Sequence, residues 1–83
     1  MERKNIDPEL AMIRAAARTI DDGRARNDLE GARFNLYSSV EAADQGRAVR
    51  WLETCRVCAE ALEPATRGRV NAALDRIATE VAS

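Results

Sequence analysis

Between four breaks, at Asp7-Pro8, Asp22-Gly23, Asp44-Gln45-Gly46 and Pro64, the apolar residues of this chain recur every three or four positions. That spacing marks one face of an α-helix, and no stretch alternates as a half-buried strand must. Asp7 is the expected N-cap of a first helix, with Pro8 at its first position. Leu10, Ile13, Ala17 and Ile20 share its face, up to a glycine stop at Asp22-Gly23. Leu29, Ala32, Leu36, Val40 and Ala43 form the stripe of a second helix. Asp44 caps a third, which carries Ala48, Trp51, Leu52, Cys55, Ala59 and Leu62 and ends at Pro64. Val70, Leu74, Ile77 and Val81 are the seam of a fourth. The expected fold is all-α: a small antiparallel bundle of four helices, over about 8–22, 26–43, 46–62 and 66–82. A single domain spans 1–83, with 1–6 as a flexible tail.

The core of such a bundle is thin. The apolar fraction is 46%, but sixteen of those residues are alanine and only three residues are aromatic. Each alanine removes little apolar area from water, so help from a second copy (a homodimer) or from another protein is expected. Thirteen basic against fourteen acidic residues leave a net charge of −1, which argues against a nucleic acid held through its phosphates. MERKNIDPELAM lacks the apolar core of a secretory signal. No apolar run approaches the ~20 residues of a membrane span. A cytoplasmic protein is expected, with no membrane partner.

The string most suggestive of chemistry is Cys55-Arg56-Val57-Cys58. A redox CxxC needs its first cysteine at a helix N-terminus after a strand, where the dipole stabilises the thiolate. Here both lie in the second half of a helix, with Cys55 at the centre of its apolar stripe. A structural zinc site needs about four ligands, and the chain has no histidine and no third cysteine. Packing is therefore expected of both, with no metal and no cofactor. The lack of histidine also removes the usual triads and the commonest general base. Gly23, Gly31, Gly46 and Gly68 are isolated, so no phosphate loop is present. No catalytic residue is assigned and the chain is not expected to be an enzyme.

Two other functions remain in view. A helix-turn-helix regulator of DNA has its skeleton in Ala42, Gly46 and Leu52, but Glu41, Gln45 and Arg47 stand where that motif wants apolar residues. Its phosphate contacts would be Arg47, Arg50 and Thr54, or Arg69 and Arg76. A small all-helical enzyme could hold an anionic substrate between Arg14, Arg47 and Arg50, against the simpler reading of solvated arginines beside Glu and Asp.

The residues that break the pattern are the informative ones. At about 100° per residue, Phe34 projects about 160° from the stripe centred on Leu36, and Tyr37 about 100°. The only Phe of a thin-cored chain thus points away from its core. Gly31 and Ser38, one turn either side, would let another helix approach, and Glu30 and Glu41 flank the patch. Met12, with Ala15 and Thr19, and Val57 also fall outside their stripes. Either the bundle is irregular, with Ile6 and the tail folded over Phe34, or this face meets a partner. Phe34, Tyr37, Gly31, Ser38, Glu30 and Glu41 are the candidate partner-binding residues. The expected function is a protein–protein interaction module, an adaptor or inhibitor that occupies a partner's surface. Small acidic helical proteins of bacteria and their mobile elements often act so, which is analogy at the level of fold.

Overall fold

The punctuation residues set the helix ends, two of them differently from expectation. A computed structural model describes residues 5–83 and places four helices there, with no strand among the described residues. They are α1 (Asp7–Ala17), α2 (Gly23–Glu41), α3 (Gln45–Cys58) and α4 (Pro64–Ala82). A 3-10 turn over Ala59–Ala61 prolongs α3.

The ladder of α1 begins one residue early, because the Leu10 N–H donates to the Ile6 carbonyl at 3.0 Å. Ile6 is therefore the N-cap and Asp7 the first helical residue, where its carboxylate, like that of Glu9, faces the positive end of the dipole. Ile6 is 2% exposed and belongs to the core, so any tail is shorter than 1–6; residues 1–4 lie outside the described residues.

The first helix stops at Ala17, five residues short of the expected end. The Thr19 and Ile20 N–H groups donate to the Ala16 and Ala17 carbonyls in tightened turns, and the Thr19 hydroxyl donates to Ala16 at 2.7 Å. Asp22 is instead the N-cap of α2, accepting from the Arg24 N–H at 3.1 Å. The Arg26 Nε pins the turn by donating to the Ile20 carbonyl at 2.9 Å. An Asp-Gly pair serves a helix start as readily as a helix stop. Here the acceptor side chain won.

Helix α2 ends at Glu41, so Ala43 is not part of its stripe. The Ala43 N–H donates to the Val40 carbonyl and the Asp44 N–H to the Ser39 carbonyl, at 3.0 and 2.9 Å. This is a Schellman closure whose left-handed position, normally glycine, holds Ala43 at φ 54°. Ala43 is exposed as a result. Ala43→Gly is expected to stabilise the chain by about 0.5–1 kcal/mol, since relief of the left-handed strain exceeds the added backbone entropy. The urea midpoint should rise at constant slope; a fall would show that the turn carries no strain. Asp44 then caps α3 by accepting from the Arg47 N–H at 3.1 Å.

The helices run antiparallel in ring order, each packed chiefly on its two neighbours. Gln45 at the start of α3 donates to the Val81 carbonyl at the end of α4, at 2.9 Å. Arg76, late in α4, reaches Glu9, early in α1, at 3.6 Å. The body measures 35 × 21 × 17 Å, long enough for the 19 residues of α2 or α4 at about 1.5 Å each.

All the remaining expected core residues are buried except Trp51, which is half-buried against the core's edge. The interior is aliphatic: Ile13, Leu29, Leu36, Val70, Leu74, Ile77 and Val81, with alanines where helices approach. Ser39 is its one buried polar side chain among the described residues, and its hydroxyl donates to the Asn35 carbonyl at 2.8 Å. The accessible surface is 4831 Å², close to the ~4,900 Å² of a compact monomer of this mass. The single chain closes its own core without an aromatic.

Candidate functional site

With the core closed, four large apolar residues stay at the surface among the described residues: Phe34, Tyr37, Val49 and Val57. Phe34 is 57% exposed and Tyr37 37%, with ring centroids 6.3 Å apart and planes tilted by 43°, a favourable aromatic arrangement. Ile6 is buried with the core, and both rings remain exposed.

Phe34 and Tyr37 form one wall of an open groove between α1 and α2, of about 560 Å³. Arg33 stands beside them. The α1 wall carries Asp7, Leu10, Ala11, Arg14, Ala15 and Arg18. This is the side of α1 about 60–200° from Ile13, next to its buried stripe. The groove thus combines an aromatic pair, small apolar residues, three guanidiniums and one carboxylate. Arg33 Nε is buried with no hydrogen-bond partner.

The six candidate residues are not one patch. Glu30 is half-buried, Glu41 exposed and Ser38 half-buried on α2, but Gly31 lies on the other side of the helix. It opens a second groove, between α2 and α3, with Asn27, Asp28, Asn35, Trp51, Thr54 and Cys58. A Cβ built on Gly31 would meet nothing within 4 Å. Arg18 and Arg33 are not among the residues expected from the sequence, where Arg14 stands only as a candidate contact for an anionic substrate. The i, i+4 spacing of Ala11, Ala15 and of Arg14, Arg18 was the available signal.

The other misfits resolve separately. Val57 does point outward, and Val49 joins it two turns earlier. Met12 does not lie outside: it packs against the core in the trough between α1 and α4, with Ala15, Thr19, Thr66 and Arg69.

Cys55 is fully buried and Cys58 half-buried, and both thiols are free. Burial, reinforced by Cys58 and opposed by Arg33 and Arg56, pushes the Cys55 thiol up to about 12. Burial also raises Cys58, with Asp28 adding to it. Both shifts disfavour the thiolate that nucleophilic or metal chemistry requires. No cluster of three metal-ligating side chains occurs among the described residues.

The arginines suggested for DNA or for an anionic substrate do not converge. Arg47 and Arg50 are exposed on α3, away from Arg14. The Thr54 hydroxyl donates to the Arg50 carbonyl of its own helix, Arg69 donates to Thr66, and Arg76 pairs with Glu9. Helices α2 and α3 lie side by side, with Asn27 and Asp28 near Cys58 and Asn35 near Trp51 along one groove. The two helices of a DNA-reading turn cross instead at about 90–120°. No described helix is long and apolar enough to cross a membrane. No protein-family model, curated protein or solved structure matches this chain.

Proposed function

We propose that this chain is a non-enzymatic protein–protein interaction module that acts by occupying a partner's surface through the α1–α2 groove. The observation that carries this reading is Phe34. The only Phe of the chain is 57% exposed beside Tyr37 and three arginines, while no aromatic is among the buried core residues. An aromatic left in water forgoes about 1.5–3 kcal/mol of burial, and interfaces concentrate their energy in such anchors, with arginine also enriched. A shallow, open groove with no histidine offers little to general acid–base chemistry. The reading places the module in the cytoplasm, where two unpaired thiols persist.

The test is a comparison of wild type with Phe34→Ala. Helix content and melting should be nearly unchanged, while retention of the partner from an extract of the source organism weakens by about 1 kcal/mol or more. Sedimentation over a wide concentration range separates another protein from a second copy as that partner. Undiminished retention by a folded Phe34→Ala chain would remove the groove from consideration.

A further inference from the structure

The unpartnered charge in the α1–α2 groove carries information about what fills it. Among the described residues, Arg14, Arg18 and Arg33 line it against the single carboxylate of Asp7, in a chain whose net charge is −1. Several arginines outside the groove are used, although the Arg67 Nε is also buried without a partner. Arg26 and Arg67 donate to carbonyls at turns, and Arg56 and Arg76 pair with Asp75 and Glu9. None of the three groove guanidiniums holds a hydrogen bond or ion pair with another described residue. The Arg33 Nε is the telling atom, because it is buried and still without an acceptor. A guanidinium offers five donors in a planar fork, and a carboxylate is the acceptor that matches two of them at once.

The rest of the lining is apolar and its shape is linear. Phe34 and Tyr37 supply the hydrophobic surface, and Ala11 and Ala15, one turn apart, let a backbone come close. From Asp7 to Arg18 the α1 wall extends roughly 16 Å, about three helical turns. An open trough buries too little of a small molecule, which binds in enclosed sites. A nucleic acid would need positive charge on a wider surface, yet Asp7 lies in the groove and Glu30 and Glu41 stand on α2. A helix laid into the groove meets neither objection, because its apolar residues and its carboxylates fall on adjoining faces.

We propose that the α1–α2 groove receives an acidic amphipathic helix of another protein, its apolar residues on Phe34, Tyr37, Ala11 and Ala15 and its carboxylates on Arg14, Arg18 and Arg33. This rests on the groove being an interaction surface, and the experiment separates the two claims. The probe is a displayed library of random peptides, each long enough for four helical turns, selected on the immobilised full-length chain. Enriched peptides should carry Asp or Glu along one helical edge beside Leu or aromatic residues. Their binding should weaken at high salt and fall about tenfold for Arg33→Gln, the loss of a charge-assisted hydrogen bond. Arg18→Gln, at an exposed position, should weaken binding too and serves where Arg33→Gln disturbs folding.

Neutral or basic peptides that are lost on Phe34→Ala would overturn the acidic helix and leave the interaction surface standing. No enrichment, or peptides indifferent to Phe34 and to the arginines alike, would overturn both. Duplex DNA binding abolished by Arg18→Gln, or a dimer in sedimentation abolished by it, would assign the groove to nucleic acid or to a second copy instead.

Discussion

Truncating Leu36 to alanine is expected to cost about 2–5 kcal/mol, whereas Phe34→Ala, two residues earlier, is expected to cost under ~0.5 kcal/mol. The difference is one of phase. Two residues on a helix are about 200° apart, which puts Leu36 at 0% exposure and Phe34 at 57%. Leu36 belongs to one buried cluster with Leu29, Val40 and residues of the other helices, none of them aromatic. A domain this small holds only about 5–10 kcal/mol in total, so the Leu36 variant should lose more than about 10 °C of melting temperature. Urea unfolding followed by circular dichroism reads both variants on one scale. Comparable losses in the two would mean that α2 is rotated, that Phe34 is a core residue, and that the groove is a packing defect.

How far these features could be read from the chain depended on whether they were local. Which residues are buried follows from a period of 3.6, and Leu10, Ile13, Leu29, Leu36, Leu74 and Ile77 needed nothing else. The outward turn of Phe34 follows from the same phase. Helix ends were legible where a residue has a single use, as Pro64 does, and not where it has two. Asp22-Gly23 suits a stop as well as a start, and only the carbonyl-capping by Thr19 and Arg26 decides between them. Ala43 fits the stripe by its spacing, and nothing about alanine announces a left-handed turn.

The groove was legible only by half. Placing Phe34 and Gly31 in different grooves requires knowing which neighbour lies on which side of α2, a property of the bundle's handedness. The periodicity of one helix carries no such signal. The unpaired state of Arg33 likewise depends on what α1 presents opposite it, and α1 presents Arg14 and Arg18 with the one carboxylate of Asp7.

Cys55 gives the second large effect, and it appears only at alkaline pH. Burial raises its thiol from an ordinary value near 9 to about 12, while in the unfolded chain it titrates normally. Below pH 9 both states hold the proton and the thiol adds no pH dependence. Between 9 and 12 the unfolded chain has lost the proton and the folded chain keeps it, so stability falls by about 1.4 kcal/mol per pH unit. At neutral pH, Cys55→Ala is expected to cost about 1 kcal/mol through the small cavity it leaves. The variant lacks the titrating thiol, so its stability should decline less steeply above pH 9. The two curves should therefore cross near pH 10, with wild type the more stable below and Cys55→Ala the more stable above. Titrating groups that do not act on Cys55 are common to both chains and cancel in the difference, while Cys58 enters it only through its part in the Cys55 shift. Guanidinium melts at half-unit steps from pH 7 to 11 give the two curves. Parallel curves would mean that Cys55 ionises in the folded state, and that the α3 face carrying it opens to water.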